Sequence, residues 1–279
     1  HHAVWASSAS FSIAGLDAET PDPAGGIIRR SPDGSLEGVV LENACQLIMG
    51  RVPAPDDATV RRTLVNLGQQ LLALGVVAVH DPGAVSPDTK LLAFDAYAAL
   101  SDAGDLPIRV HASLRPDSLG TAISRGLRSG ARLGDDPDGR ARIGWLKLFA
   151  DGTLGSGTAA LLEPREGTSD LGLFRQAHEE LADLTRRAAD AGIATQIHAI
   201  GDAAVRAALD ALEPSSPVVP LMPRVEHVQL VHPSDRGRFA ASGIVASVQP
   251  VNLREDADTA RRDWGERAEA WGYTWRTLL

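Results

Sequence analysis

The sequence predicts an α/β protein built around a parallel sheet. Six short apolar segments rich in β-branched residues alternate with segments whose apolar residues recur at helical spacing. The strand segments are almost continuously apolar, which is typical of a sheet that helices cover on both faces. A doubly wound sheet and a (β/α) barrel both fit this alternation. No G-x-G-x-x-G follows the first strand, which disfavours a dinucleotide-binding fold.

The regular pattern begins at residue 58. Before it, turn-forming stretches such as DAETPDPAGG and SPDGSLEG predict irregular structure over residues 1–57, with one short helix in LENACQLIMG. Helical spacing of apolar residues, often closed by a glycine, predicts helices over residues 58–75, 88–104, 117–130, 176–192, 203–213, 233–243 and 254–272. The short apolar runs between them predict strands over residues 76–83, 107–114, 141–152, 193–202, 223–231 and 244–250.

Composition and charge exclude several classes of partner. The chain has 279 residues, of which 44% are hydrophobic, and this is enough for one large core or two ordinary ones. A formal net charge of -9 argues against binding to nucleic acid or to an anionic membrane. No apolar run has the length of a membrane span, and the start does not resemble a signal peptide. Cys45 is the single cysteine, which excludes an internal disulfide and predicts a cytoplasmic location.

Polar side chains recur at the carboxyl ends of successive predicted strands, where parallel α/β folds place their sites. An isolated core histidine is common, but the coincidence across several strands predicts a functional site. The residues concerned are His80, Asp81, His111, Lys147, Asp151, His198, Asp202, Glu226, His227 and Gln249.

Lys147 lies in the middle of an apolar strand, and three interpretations fit it. Its stem can pack in the core while the amine pairs with a carboxylate. A desolvated lysine can instead form a Schiff base, because its pKa is lowered. Carbon dioxide can also convert the amine to an anionic carbamate that bridges two cations. His198 and His227, on the two following strands, favour this metal-binding interpretation, since imidazole and oxygen ligands suit divalent metals.

Several longer motifs together resemble a known family. WLKLFADGTLGSGTAALLEP, QIHAIGDAAVRAALDALE and RVEHVQLVHPSDRGRFAASGIVASVQP resemble the amidohydrolase superfamily, in its amidohydrolase-3 branch of YtcJ-like metal-dependent hydrolases. The opening HHAVWASSASFSIAGL, SPDGSLEGVVLENA and GVVAVHDPG are similar to the same branch. The resemblance therefore covers nearly the whole chain, in the order of the family.

The resemblance implies a (β/α)8 TIM barrel that holds one or two divalent metal ions, with zinc expected. In the K-L-F-x-D-G motif it implies that Lys147 is a carbamylated, bridging metal ligand. The H-A-I-G-D and R-x-E-H motifs likewise imply that His198 and His227 are metal ligands and, with Lys147, the catalytic centre. The six predicted strands then become barrel strands two to seven.

The sequence departs from the family pattern in ways that predict an incomplete barrel. No H-x-H pair occurs, although the family carries one on strand one, and the chain stops before the strand-eight aspartate. The β-sandwich domain of the family is also absent. We therefore expect an interior fragment, with residues 1–57 as an insertion between strands one and two and residues 58–279 as a partial barrel. We expect such a chain to be weakly active or inactive, and to form homo-oligomers or dissolve poorly through its open sheet edges.

Three further residues near the predicted strand ends have two interpretations each. Asp202 caps the following helix or orients His198 through its carboxylate. Asp151 is a turn residue that is also placed to hydrogen-bond near the site. His80 is a structural histidine or lines the pocket.

The opening segment and the strand around Glu226 add four predictions. His2 and Trp5 are candidates for substrate contact, and the alternative is a turn that contains a buried tryptophan. Glu226 should face away from His227, provided that the strand is regular, and should pair with a basic residue such as Arg224 or hold an adjacent loop.

The function that the resemblance implies is hydrolysis of an amide-like C–N bond in a small molecule. An N-substituted formamide, a cyclic amide and an N-acyl compound are all suitable substrates. Two other classes stay open, a Schiff-base lyase or aldolase that uses Lys147 and a barrel remnant without catalysis.

Overall fold

The computed structural model describes residues 2–83, 90–218 and 221–278. Residues 1–57, expected to be irregular, instead contain a small antiparallel sheet with its central strand between the other two. The elements of this region are β1 (Ala3–Trp5), α1 (Ser8–Ala14), β2 (Gly26–Arg30), β3 (Leu36–Glu42) and α2 (Cys45–Met49). The helix predicted in LENACQLIMG is confirmed as α2. The strands were missed because short β2 and glycine-interrupted β3 lack a clean alternating pattern, whereas the SPDGS turn between them was recognised.

The rest of the chain alternates strands and helices, as predicted. The strands are β4 (Ala78–Asp81), β5 (Arg109–Leu114), β6 (Ala141–Phe149), β7 (Thr195–Ala199), β8 (Arg224–His227) and β9 (Val245–Ser247). The helices are α3 (Asp57–Ala73), α4 (Leu92–Asp102), α5 (Leu119–Ser124), α6 (His178–Asp190), α7 (Asp202–Leu212), α8 (Pro233–Ser242), α9 (Val251–Trp264) and α10 (Glu266–Ala270). Short 3-10 helices cover Pro116–Ser118, Glu213–Val218 and Trp275–Leu278. Across the described ranges, no helix is both long and apolar enough to cross a bilayer.

Three predicted helices differ in extent from the observed ones. The helix expected over 88–104 is α4, and residues 88 and 89 lie outside the described part of the chain. The segment 117–130 is α-helical only in α5. The last predicted helix divides at Gly265, whose φ of 55° breaks the helical backbone between α9 and α10.

The six strands from β4 to β9 form one parallel sheet in chain order. The sheet is strongly curled. The curl is seen in the hydrogen bond of 2.9 Å that Arg224 of β8 donates to Nδ1 of His80 on β4. Flat neighbouring strands are spaced about 4.8 Å apart, so these two strands would otherwise lie about 19 Å apart. The guanidinium of Arg224 also lies 3.9 Å from the ring centre of Trp145 on β6. The concave face of this half-barrel is therefore lined by polar and aromatic side chains.

The alternation along β6 separates the core from the concave face. Leu146 and Leu148 are fully buried in the main hydrophobic core, which the surrounding helices cover. Trp145, Lys147 and Phe149 have the opposite parity and face the concave side, where Lys147 lies beside the Phe149 ring. The strand thus carries an amine into the interior without placing it in the hydrocarbon core.

The loop that follows β6 is packed against the start of α7. Asp151 is fully buried, and its carboxylate accepts backbone N–H bonds from Ala160, Ile200 and Gly201. A Cβ atom on Gly201 would lie only 1.9 Å from the carbonyl oxygen of Ala160. Glycine is therefore required here by close approach of two backbones, which fixes the loop beside the end of β7.

We expect Gly201→Ala to lower the free energy of unfolding by about 1–3 kcal/mol, because the added methyl group must displace the Ala160 backbone. Urea denaturation followed by circular dichroism measures the change. Gly237→Ala in α8 is the matched control, since a Cβ atom there meets nothing within 4 Å. Alanine should be neutral or slightly stabilising at that helical position. Equal stability of the two variants would contradict the close-approach argument.

Candidate functional site

Parallel pairing brings the three predicted metal-binding side chains together near the carboxyl ends of neighbouring strands. Phe149 of β6 pairs with His198 of β7, and Ala199 pairs with His227 of β8. The imidazole rings of His198 and His227 lie 4.7 Å apart, edge to face. Lys147 is close enough to both rings to disfavour their protonation. The structure therefore brings together the lysine and both histidines, as the sequence analysis expected.

His198 is held in one tautomer by the backbone. It is 2% exposed, and its Nε2 atom lies 2.7 Å from the carbonyl oxygen of Gly152. A carbonyl oxygen only accepts, so Nε2 carries the proton and Nδ1 carries the lone pair. Burial lowers the pKa of His198 well below its usual value, and His227 and Lys147 add to the shift. The ring is thus neutral, with Nδ1 as its basic atom.

His227 is fixed in the opposite tautomer. Its Nδ1 atom lies 2.6 Å from Oε1 of Gln249, whose own amide donates to the carbonyl of Ser247. The glutamine oxygen accepts, so Nδ1 of His227 is protonated and Nε2 carries the lone pair. Burial lowers the pKa of His227 to about 4, with Lys147 contributing. Both imidazoles are therefore neutral and each presents one unprotonated nitrogen, with the other bonded to oxygen in the manner common for metal-binding histidines.

A strained backbone turns His227 towards His198. The φ angles of His227 and Val228 are 77° and 49°, in the left-handed region that residues other than glycine rarely adopt. Val228 is fully buried, and its N–H bonds to the carbonyl of Ala199. Core packing therefore holds the strained turn in place.

The same turn corrects the prediction that Glu226 and His227 face opposite ways. Glu226 contacts Arg224 at 2.5 Å on the concave face, so the predicted ion pair is confirmed. His227 nevertheless also reaches the site, because the left-handed backbone breaks the alternation of a regular strand. Sequence pattern alone gave no sign of this irregularity.

Lys147 is an almost fully buried amine without an ionic partner. It is 5% exposed, and its Nζ atom lies 4.7 Å from the ring centre of Phe149. Among the described residues, the contact found for this amine is with the Phe149 ring, and the nearby carboxylate of Glu226 is paired with Arg224. Burial lowers the pKa of Lys147 to about 7, opposed by Glu226 and reinforced by Arg115, Arg224 and Arg175. The interpretation in which the amine pairs with a carboxylate is therefore not supported.

The donor set fits a divalent metal only if Lys147 is modified. In the part of the chain that the structure describes, no group of three or more His, Cys, Asp or Glu residues is arranged to hold a metal. Nδ1 of His198 and Nε2 of His227 provide two suitable nitrogen donors. An ammonium group repels cations, whereas a carbamate at Lys147 would supply the oxygen donors that such a centre requires.

The N-terminal sheet contributes two more residues to the site. The ring of His2 stacks on that of His198 at 4.9 Å, so His2 lies at the site as predicted. Its Nδ1 atom is 2.8 Å from Oε2 of Glu42, which is fully buried and accepts a hydrogen bond from Thr158. Glu42 was not among the predicted site residues, although it lies in the LEGVVLENA stretch that resembles the family. Its burial and contacts depend on tertiary packing.

Two arginines were also missed. The guanidinium groups of Arg115 and Arg175 lie 4.6 and 4.7 Å from the ring centre of Phe149. Arg175 donates to the side chain of Asn43 and lies 3.5 Å from Glu42. Arg115 directly follows β5, so a search of strand ends that included arginine would have found it. Arg175 follows no predicted strand, and no local signal marks it.

The two predicted aspartates differ in how close they lie to His198. Asp202 is the first residue of α7, after Gly201 at the cap position, and its carboxylate accepts from the N–H groups of Leu162 and Ala203. It anchors the loop and does not contact His198. Asp151 instead lies beside His198, with Oδ1 3.4 Å from Nε2. Burial raises the pKa of Asp151 to about 8, opposed by its three backbone N–H donors.

Two other candidates lie away from the metal-binding groups. Trp5 is 85% exposed, so the alternative of a buried turn tryptophan is wrong, and the structure does not pack its ring into the site. His80 lines the concave face at its exposed edge, where it bonds Arg224 and packs near Trp145. It is therefore not a buried core histidine.

The chain matches a protein-family model along its whole length. The model is that of the amidohydrolase family, and it covers residues 1–279. Protein LONG AFTER FAR-RED 3 of Arabidopsis thaliana is 31% identical, over 100% of this chain and 49% of that protein. The putative amidohydrolase YtcJ of Bacillus subtilis (strain 168) is 27% identical, over 100% of this chain and 51% of that protein. The chain thus spans about half the length of these relatives.

A solved structure shows the same fold. An uncharacterized metal-dependent hydrolase from Pyrococcus horikoshii OT3 superposes with a TM-score of 0.74 and 27% sequence identity. The superposition covers 99% of this chain and 52% of that one. The curled parallel sheet is therefore shared with a protein of the kind that the sequence motifs resemble.

We expect Glu42→Gln to lower the free energy of unfolding by about 1–3 kcal/mol, because it leaves Arg175 facing a neutral group inside the protein. Chemical denaturation gives the value. Glu37→Gln is the matched control, since Glu37 pairs with Arg29 on the surface of the same small sheet. Surface pairs contribute little, so that variant should unfold like the wild type. If both variants lose the same stability, the buried network has no special role.

Proposed function

Since the chain belongs to the amidohydrolase family, we propose that it forms the site of a metal-dependent hydrolase acting on an amide-like C–N bond of a small molecule. The observation that carries this proposal is the pair of neutral imidazoles, His198 and His227, beside the buried amine of Lys147. Because the chain spans about half the length of its relatives, this activity is proposed for the whole protein. The six strands β4 to β9 would be strands two to seven of its (β/α)8 barrel.

Family membership implies a divalent metal, and we propose zinc, as one or two ions. Zinc suits imidazole nitrogen with oxygen ligands. Nδ1 of His198, Nε2 of His227 and a carbamate on Lys147 would hold it. When bound, the metal lowers the pKa of water and polarises the substrate carbonyl.

Neighbouring groups hold the proposed metal ligands in protonation states that suit metal binding. The carbonyl of Gly152 and the amide of Gln249 fix the histidine tautomers, so no proton has to leave either ring on binding. A pKa of about 7 leaves much of the Lys147 amine neutral at physiological pH. The neutral amine attacks carbon dioxide and releases one proton, which gives the carbamate anion.

The proposed substrate class follows from the family. We propose an N-substituted formamide, a cyclic amide or an N-acyl compound, whose C–N bond is cleaved by addition of water across it. We also propose a reducing, cytoplasmic setting, because the single cysteine, Cys45, is buried and free.

We expect His227→Ala to abolish zinc-dependent hydrolysis of N-acyl and N-formyl test compounds by the full-length protein. The loss should exceed the roughly 10–100-fold that is typical for residues that only support a metal ligand. Zinc content by plasma mass spectrometry should fall in parallel. His178→Ala is the control, because His178 lies exposed on α6. A His227→Ala protein that is folded, binds zinc normally and turns over normally would refute the proposed centre.

Carbamylation of Lys147 gives a second test, with a defined pH dependence. Protonation removes the reactive amine below its pKa of about 7, so the neutral fraction rises from about 10% at pH 6 to about 90% at pH 8. A carbamate signal from 13C-bicarbonate should therefore appear in NMR spectra at pH 8, weaken at pH 6 and be absent in Lys147→Met. Trapping of Lys147 by borohydride with a carbonyl compound, without that signal, would instead favour the Schiff-base alternative.

A further inference from the structure

The strained turn that ends β8 is bonded to two different parts of the chain. The N–H of Val228 donates to the carbonyl of Ala199 at 3.1 Å. The N–H of Leu230 likewise donates to the carbonyl of Ile200 at 3.0 Å, so these two bonds tie the turn to the end of β7. The carbonyl groups of the turn are bonded elsewhere, to residues 271–278, which we call the C-terminal segment.

The C-terminal segment donates two hydrogen bonds to the backbone of the turn. The indole N–H of Trp275 donates to the carbonyl oxygen of Val228 at 2.8 Å, and the backbone N–H of Tyr273 donates to that of Gln229 at 2.7 Å. Gln229 is buried, and its side-chain amide donates to the hydroxyl of Tyr273 and to Asp256 of α9. The end of β7 and the C-terminal segment therefore hold the turn together.

The bond from Trp275 acts on the peptide group that follows the strained residues. The left-handed φ angles of His227 and Val228 persist only where the surrounding structure maintains them. Val228 is fully buried, so without the indole N–H its carbonyl oxygen would lose a hydrogen bond that water does not replace. The turn would then be held less firmly, and relaxation towards a regular strand would direct His227 away from His198.

We propose that Trp275 is a positioning residue, whose indole N–H holds the strained turn so that His227 faces His198 and Lys147. This inference rests on the proposed role of His227 as a metal ligand. Trp275 lies 47 residues after Val228 in the sequence and acts through a backbone carbonyl, so it orients the imidazole without touching the metal. Removal of groups that orient a metal ligand typically lowers metal affinity roughly 10- to 100-fold.

Trp275→Phe tests this role, because phenylalanine keeps an aromatic ring and removes the N–H donor. Titration of the metal-free full-length protein with zinc, in competition with a chelator, measures affinity without requiring turnover. The affinity should fall roughly 10-fold or more. In 15N NMR spectra of the metal-free protein, the His227 ring should change from the single tautomer that Gln249 fixes to a mixture of both tautomers.

Trp271→Phe is the matched control within the C-terminal segment. The ring of Trp271 packs against that of His232 at 5.0 Å and not against the strained turn. This variant should keep the zinc affinity of the wild type and the single tautomer of His227. Thermal denaturation shows whether each variant is folded. If Trp275→Phe does not fold, 3-benzothienylalanine at position 275 repeats the test, because it keeps the size of the indole and lacks the N–H.

Three outcomes would overturn the proposal for Trp275. Trp275→Phe is folded and binds zinc as tightly as the wild type, it loses affinity while His227 keeps its single tautomer, or Trp271→Phe has the same effects. The third result would show a general effect of the C-terminal segment and not of one hydrogen bond. If Trp275→Phe changes the tautomer of His227 but His227→Ala binds zinc normally, the positioning role stands and the proposed metal centre fails.

Discussion

Burial of the Lys147 amine is the constraint on which the rest of the site depends. The amine sits in the curled sheet at 5% exposure, and the carboxylate that favours its charged form, Glu226, is paired with Arg224. Burial in a protein interior disfavours the charged form of such a group. The positive charges of Arg115, Arg224 and Arg175 also lower the pKa of this amine. The surroundings therefore disfavour an ammonium group at residue 147.

Two kinds of backbone geometry place the imidazoles beside that amine. Parallel pairing of β6, β7 and β8 sets the side chains of Lys147 and His198 at one end of the sheet. The left-handed turn at His227 and Val228 then adds a residue that a regular strand would direct outwards. Burial of Val228 in the core holds this strained turn, so stability elsewhere in the fold maintains the geometry of the site.

The N-terminal sheet packs against the site, although its strands pair separately from the parallel sheet. Its Glu42 reaches His2, Thr158 and Arg175 together, and His2 stacks on His198. This network ties the first strands of the chain to the loop after β6. The proposed function depends on that packing, because His2 lies against His198 and Arg175 lies beside the ring of Phe149.

The sequence by itself determined the alternating strands and helices, their order, and the three groups Lys147, His198 and His227. Apolar periodicity and family motifs are local properties of the chain, so they can be read without coordinates. Only the tertiary structure decided the small antiparallel sheet, the left-handed turn at His227, and the presence of Glu42 and Arg175 at the site. These depend on contacts between residues far apart in sequence, and no local pattern encodes burial or charge pairing across such distances.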